Sequence, residues 1–505
     1  MEIRFIGQSC FFVKKNNTII VTDPWCKESK AFYGAWIPFP YDDTKFLLDY
    51  DFSDKSLYIF LSHEHSDHLD IKLLKKLCNK NKNLNFLLPN FGNHCFNQVK
   101  KNFNQHKIIF LKDNEEKEIN EVKFRILLEK PLFNEHGACI IEDENTIFVN
   151  SNDSVIEDFS IKKDTKKTVI YTGQFSSVSP YPDNSELVQK NQRAKLEKDH
   201  LNQQISGFCE GVNNIQANIA IPSSGPVMCI PRKEKIKQMR LTVGQTNGPF
   251  DNIFIKKKME KEIKKNCKIF FLSPSESIKP FENIVSYNNK FNNKKERLKI
   301  FDNLVKLYKF NKIKSKINKS AAKSHLIKFS DKFNKIFNSL EIGNDVIFDA
   351  IISDIKVFSR FNFLKNKFIY KIYNYTNVKS IFKKIKRPYY SINLSSYHLK
   401  EIVKNSVPFE ELWYGKHISV IEKNKGYNSN IINTLNVMHS GHLANLLISH
   451  TKNNERFELS FNQKKYKVKR FCPHKGADLI NCKPDSKGII TCPAHGWKIS
   501  IFKDN

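Results

Sequence analysis

The chain has 505 residues, 40% of them hydrophobic, enough for about three domains with buried cores. No run approaches the roughly 18 uninterrupted apolar residues of a membrane span. The opening Met1-Glu-Ile-Arg-Phe-Ile6 reads as a strand and not as a secretory signal, and eleven cysteines scattered without a framework fit a reducing, cytoplasmic compartment. The net charge of +31 invites a nucleic-acid reading, but lysine far outnumbers arginine and rises together with Asn, Ile and Phe, the bias of an AT-rich genome. Base-reading proteins favour arginine for its bidentate fork, and no such motif occurs, so the basic field is read as an aid to capturing a small phosphorylated substrate.

Met1–Ile6 and Thr18–Thr22 are predicted as opening strands, joined by a stretch that begins Gly7-Gln-Ser-Cys10; the second ends at Asp23-Pro24-Trp25. Leu57-Tyr-Ile-Phe-Leu61 is an apolar run of buried-strand type. Directly after it comes His63-Glu-His65-Ser-Asp67-His68, four metal-ligand side chains within six residues. Residues two apart in extended chain point the same way, so His63 and His65 grip one metal, and the turn at Ser66 lets Asp67 and His68 face a second.

This H-x-H-x-D-H run is similar to the metallo-β-lactamase signature, which implies an α/β domain of αββα sandwich type over residues 1–288. By position, the resemblance implies that His136, before Gly137, completes the first set with His63 and His65. Asp153, after the strand Thr146–Val149, joins Asp67 and His68 as a carboxylate bridging the two metals. The last histidine of the signature is missing: the late strand Ala217–Pro222 runs into Ser223-Ser224-Gly225. The second metal is then either held more weakly or not retained. His200, in a Lys/Glu/Gln-rich helical stretch, is read as a solvated surface residue and not as a substitute. Imidazole and carboxylate suit iron and zinc alike, so the ligands leave the metal open.

Lys268–Pro274 is predicted as the last strand of this domain, followed by a polar break from Tyr287. From Glu296 to about His450 apolar residues recur at helical spacing (Ile300, Leu304, Leu307, Phe310; then Ile347, Ile351, Ile355, Phe358). Residues 289–450 are therefore predicted as a mainly helical accessory region that shapes a substrate pocket, with a short β/α insert from Pro388 to Gly415. His439 and His442 are read as packing or substrate-contact residues.

In residues 451–505, strands predicted at Lys465–Arg470 and Gly488–Thr491 lead into Cys472-Pro-His474-Lys-Gly476 and Cys492-Pro-Ala-His495-Gly496. Each loop pairs one thiolate with one imidazole, whereas zinc fingers normally place Cys with Cys and His with His. The segment resembles a Rieske domain, a small all-β unit. The resemblance implies a [2Fe–2S] cluster, with Cys472 and Cys492 on one iron and His474 and His495 on the other. Lys475-Gly476-Ala477 and Pro493-Ala494 stand where high-potential members carry extra cysteines. The ferredoxin and oxygenase type is implied, towards the low end of roughly −150 to +300 mV. With few residues after the second loop, the lower edge of the cluster is expected to be covered by other parts of the chain.

Together the two segments resemble the CMP-N-acetylneuraminate hydroxylases, which also lack the last histidine and share a segment like Phe409-Glu-Glu-Leu-Trp413-Tyr-Gly415, but carry the Rieske segment at the N-terminus. The resemblance implies an oxygen-dependent monooxygenase. An external donor (a ferredoxin, a cytochrome b5-like protein or a flavin reductase) reduces the cluster, and His474 or His495 conducts electrons to one or two iron ions. Dioxygen activated there hydroxylates a small substrate, such as the N-acyl group of a nucleotide sugar. His63, His65, Asp67 and His68 are the catalytic candidates. The alternative is a zinc hydrolase, a phosphodiesterase or amidase with a regulatory Rieske segment and metal-bound hydroxide as nucleophile; a third reading is an electron carrier that uses its first domain for docking.

Reduced protein is expected to show the rhombic EPR signal of mixed Cys/His ligation, and Cys492→Ser to lose it. An unchanged spectrum in that variant would overturn the ligand assignment.

Overall fold

The computed structural model describes residues 1–91, 95–129, 136–154, 156, 166–176, 182, 184–225, 227–229, 252–264, 267–280, 284–286, 294–307, 317–338, 346–364, 367–424, 426–440, 455–472, 479–480, 482–492 and 498–502. The chain divides into two compact units: Met1–Lys130 with Asn134–Val178 and Glu197–Phe310, and Pro131–Phe133 with Ser179–Leu196 and Asn311–Asn505.

The first unit is built on two sheets. One has eight strands in the order Ile284–Ser286, Ser277–Lys279, Glu2–Gly7, Cys10–Lys15, Thr18–Thr22, Ser56–Phe60, Asn85–Pro89 and Lys107–Leu111. The other has seven, in the order Lys268–Ile269, Ile219–Ser223, Thr168–Gln174, Thr146–Asn150, Gly137–Glu142, Val122–Leu128 and Glu116–Ile119. Side chains alternate across each strand, so each sheet fills two cores. Phe11, Ile20 and Phe60 from the first sheet meet Phe124, Ile141 and Phe148 from the second in the central layer. Phe12, Val21 and Ile59 point the other way, against the helix Ile71–Lys80. On the outer side of the second sheet, Ile140, Val149 and Tyr171 pack with Ile205 and Phe208 of the helix Lys190–Ile215 and Ile255 and Met259 of the helix Asn252–Glu262. Strands covered on both faces read as continuous apolar runs, which is why Thr18–Thr22 was legible. The result is an αββα sandwich. Lys268–Ile269 is not its last strand, because Ser277–Lys279 and Ile284–Ser286 follow and extend the first sheet.

In the second unit the helical expectation holds only in part. The helix Lys319–Asn338 buries Leu326, Phe329, Phe333 and Phe337 along one stripe. Ile347, Ile351, Ile355 and Phe358, however, do not share a helix. They fall in and between the strands Ile347–Ile352 and Val357–Leu364. These belong to a five-stranded sheet ordered Lys367–Asn374, Val357–Leu364, Ile347–Ile352, Tyr389–Leu394 and Ser419–Lys423. The insert expected from Pro388 is part of this sheet. The misreading has a physical cause: residues 348–352 are all buried, so the run carries no period of two, and chance spacings of three and four mimic a helix. Phe333 seals the sheet by packing its ring 5.0 Å from Phe348 and 4.9 Å from Phe361, centroid to centroid. The hairpins Arg456–Phe461/Lys464–Lys469 and Ile489–Thr491/Lys498–Ser500 form two further small sheets, with Val468, Ile490, Cys472 and Cys492 in one core.

A charge lies inside the five-stranded sheet. Asp349, 0% exposed, accepts from Arg360 Nε at 2.9 Å, Arg360 Nη2 at 2.7 Å and the Tyr389 hydroxyl at 2.9 Å. Removing one partner of a buried pair strands the other charge. Arg360→Met is therefore expected to cost about 3–5 kcal/mol in denaturant unfolding, and adding Asp349→Asn to recover part of the loss.

Candidate metal centre

The strand Ser56–Phe60 delivers Ser62 and His63 to the edge of the sandwich, and a turn closed by His68 N and Leu69 N on His65 O reverses the chain. Asp70 then caps the helix Ile71–Lys80 by accepting from Lys72 N and Leu73 N, both at 3.0 Å. The neighbouring parallel strand Thr18–Thr22 ends at Asp23, whose Oδ1 accepts from Ser62 N at 2.7 Å. Asp23 Oδ2 accepts from Ser62 Oγ at 2.7 Å and lies 3.0 Å from His68 Nδ1.

These bonds assign the imidazole tautomers. Ser62 has one hydroxyl proton and gives it to Asp23, so His63 Nδ1, 2.9 Å from Ser62 Oγ, is the donor there. His63 Nε2 is left as a lone pair. His68 donates from Nδ1 to Asp23, and its buried Nε2 finds no hydrogen-bond partner among the described residues. His136 is held through Nδ1 by Glu129 Oε2 at 3.2 Å, and the backbone closes the same contact, Glu129 N donating to His136 O at 2.9 Å. A second hydrogen bond to a carboxylate is the usual device that orients a metal-binding imidazole.

The remaining ligand atoms converge. Those of His63, His65 and His136 lie within 4.8 Å of one another, and so do those of His63, His68 and Asp153. His63 Nε2 is 2.8 Å from His65 Nδ1, close to the roughly 3 Å between two nitrogens each about 2.1 Å from one ion. His68 Nε2 stands 3.5 Å from Asp153 Oδ2 and 3.7 Å from Asp67 Oδ2. Asp67 borders the second triplet without belonging to either. Burial and the three neighbouring imidazoles hold the His63 pKa well below its ordinary value, keeping it a neutral donor. Burial works against charge on His68, but Asp67, Asp153 and Asp23 outweigh it and push its pKa well above normal. Burial likewise opposes ionisation of Asp153, and His68 outweighs it, so its pKa lies below the ordinary carboxylate value. Imidazoles beside carboxylates, with His68 Nε2 and Asp153 Oδ1 buried and unsatisfied among the described residues, fit a divalent metal.

At the place of the missing histidine, Ser223 Oγ accepts from Thr172 Oγ1 and Ser224 Oγ bonds Ser9 Oγ, each at 2.6 Å. Both serines are fully buried and engaged in the scaffold. His200 is half-buried, contrary to its reading as a solvated residue, and burial lowers its pKa; it belongs to neither ligand triplet. His442 and the His439 side chain lie outside the described residues. Glu64, inside the motif, instead accepts from Phe96 N at 2.8 Å. The residues not anticipated are Asp23, Ser62 and Glu129. Asp23 was visible as a carboxylate ending a buried strand, whereas nothing near Glu129 marked it.

In the second unit Cys472 and Cys492 are each 1% exposed and share a core. Leu479 N donates to Arg470 O at 2.7 Å, and Thr491 pairs with Lys498, so each cysteine adjoins a strand or bridge that is closed by backbone hydrogen bonds. His474 and His495 fall outside the described residues.

Residues 2–156 match the Beta-lactamase superfamily domain, and residues 445–504 match the Rieske [2Fe-2S] domain. The chain therefore carries a metallo-β-lactamase-fold domain near its N-terminus and a Rieske domain at its C-terminal end, the class of an iron–sulfur protein with a second metal-capable domain. It is 24% identical over 243 residues to a protein of Mycolicibacterium smegmatis described as a Rieske 2Fe-2S iron-sulfur protein, covering 45% of this chain and 44% of that one. A similarly described Mycobacterium tuberculosis protein is 32% identical over 91 residues, 18% of this chain and 16% of the relative. The chain thus spans less than half the length of the curated relatives it matches. Among solved structures, CmlA, a diiron β-hydroxylase from Streptomyces venezuelae, aligns at 12% identity over 55% of this chain and 54% of that one, with a TM-score of 0.34. The metallo-β-lactamase-fold protein YhfI from Bacillus subtilis aligns at 13% identity over 55% of this chain and 98% of its own, with a TM-score of 0.35.

Gly137 ties His136 to the motif loop, since its N–H donates to Ser62 O at 3.0 Å and a Cβ there would meet Pro89 Cγ at 2.6 Å. A proline ring does not yield, so Gly137→Ala is expected to displace His136. Metal affinity should fall roughly tenfold or more in chelator competition, within the range for disturbed supporting contacts.

Proposed function

We propose that this protein is a Rieske-coupled, iron-dependent monooxygenase whose oxygen chemistry takes place at the His63–His68 site. The observation that supports the reading is the presence, on one chain, of a Rieske domain and a buried His/Asp group with two adjoining sets of metal-binding atoms. A hydrolase has no use for an electron donor; an oxygenase needs one. In this reading His63, His65 and His136 hold one metal, and Asp67, His68 and Asp153 hold or border a second. Iron bound there, supplied with electrons through the cluster, provides the activation of dioxygen. The chain's own residues keep the site in register: Ser62 and Asp23 hold His63 and His68 by Nδ1, and Glu129 holds His136.

The substrate we favour is a phosphate-bearing, acyl-amino sugar of the nucleotide-sugar class, hydroxylated on its N-acyl group. The resemblance in sequence and the net charge of +31 support it, since a basic field raises the local concentration of an anion. An electron-transfer protein is the implied partner. Among the described residues no helix is long and apolar enough to cross a membrane.

Anaerobically purified protein is expected to contain iron in both sites. With reductant, O₂ and a panel of nucleotide sugars, one substrate should gain the mass of one oxygen. His65→Ala should keep the cluster EPR signal and lose both the N-terminal metal and this product. Zinc at the N-terminal site, with hydrolysis products formed without oxygen, would select the phosphodiesterase or amidase reading instead.

A further inference from the structure

The first unit holds a small cleft with a buried cation in an otherwise apolar wall. The helix Lys294–Leu307 lays Phe301 against Ile37, Phe39 and Met228, on the paired strands Trp36–Pro38 and Val227–Cys229. Arg297 stands one turn before Phe301 and so shares its inward face. It is 3% exposed, and it lines the cleft together with Phe39, Phe175, Phe271, Gly225 and Ser273. The rings of Phe175 and Phe271 meet edge-on at 5.6 Å. Among the described lining residues Arg297 is the charged one.

Two parts of this wall continue directly into the loops of the metal centre. Phe175 follows Gln174, whose N–H donates at 2.9 Å to Asn152 O, beside Asp153. Gly225 follows Ser224, and a Cβ at Gly225 would stand 2.2 Å from Ser176 O, so the two segments are in backbone contact. A group held in the cleft therefore lies against the chain that carries the second set of metal-binding atoms.

We propose that this cleft is a carboxylate-binding site, in which Arg297 takes the carboxylate of a small organic ligand and the phenylalanine rings take the carbon next to it. The guanidinium stays charged at any working pH. Its planar fork has five N–H donors, so it can take a carboxylate through two of them while others serve the protein. Rings packed around the pair exclude water and strengthen the charge-assisted bonds. Size selects the anion. The cleft encloses about 40 Å³. A buried water needs roughly 10–15 Å³, so the space takes about three heavy atoms, the size of a carboxylate and less than a phosphate. The phosphate of a nucleotide sugar does not fit here, and the inference stands apart from the hydroxylase reading.

The test is saturation-transfer NMR of acetate with the full-length, metal-loaded protein, without reductant or O₂. Acetate is expected to saturate a site in the millimolar range, as so few atoms allow. Acetamide has the same shape without the charge and is expected to bind about tenfold more weakly. Pivalate has the same charge and too much bulk, and is expected not to displace acetate. Arg297→Met should weaken acetate binding about tenfold or more. Lys299→Met, at an exposed position of the same helix, should leave it unchanged, which separates the cleft from the basic surface. If Arg297→Met fails to fold, the acetamide and pivalate comparison on the unaltered protein decides. Absence of saturable acetate binding, displacement by pivalate as readily as by acetate itself, or binding retained in Arg297→Met would overturn the inference. Because turnover is not measured, failure of the hydroxylase proposal leaves this result standing, and the reverse also holds.

Discussion

Bringing several imidazoles and carboxylates out of water at the edge of a sandwich is costly unless each polar atom has a partner. The described structure meets this constraint mainly through Asp23. Its two oxygens take the Ser62 amide, the Ser62 hydroxyl and the His68 Nδ1 proton, and the Ser62 hydroxyl in turn takes the Nδ1 proton of His63. One carboxylate thereby fixes the tautomers of two imidazoles and joins the ends of two adjacent parallel strands. Among the described residues His68 Nε2 and Asp153 Oδ1 stay buried without a hydrogen-bond partner, and a cation would satisfy them. The sandwich exists to hold these strand ends in register, and its central core of Phe11, Phe60, Phe124 and Phe148 is what keeps the two sheets facing each other.

Ser223 and Ser224 follow the late strand at the place where the resemblance in sequence would put a last histidine. Ser223 and Ser224 are tied into the scaffold through Thr172 and Ser9, so their position is filled by a hydrogen-bonded pair of small side chains. The two triplets are unequal: three imidazoles define the first, and an imidazole shared with the first plus His68 and Asp153 define the second.

The second unit carries a different solution to a related problem. Its five-stranded sheet buries the Asp349–Arg360 pair with Tyr389, and the same strand, Tyr389–Leu394, packs its backbone against Gly426. Cys472 and Cys492 are buried in the small core of the hairpins, out of contact with solvent.

The sequence by itself determined the elements whose signal is local. Thr18–Thr22 and Ser56–Phe60 announced themselves as apolar runs, and His63 to His68 as dense ligands following one of them. Cys472 and Cys492 stood out because a thiolate and an imidazole in each of two tight turns is a pattern with few chemical uses. His136 and Asp153 were placed only through a family resemblance, and the fold brings them to within ligand distance of the motif. Only the tertiary structure decided the rest. It turned Ile347–Ile352 from an expected helix into a central strand, because burial on both faces erases the period that separates the two. It made His200 half-buried, since a polar-looking helix face was covered by packing no local window records. Asp23 and Glu129 owe their roles to contacts that register and close packing create, across 45 residues from Asp23 to His68. A sequence specifies such contacts but does not display them, because hydrogen-bond partners are chosen in space and hydrophobic periodicity reports only which face is buried.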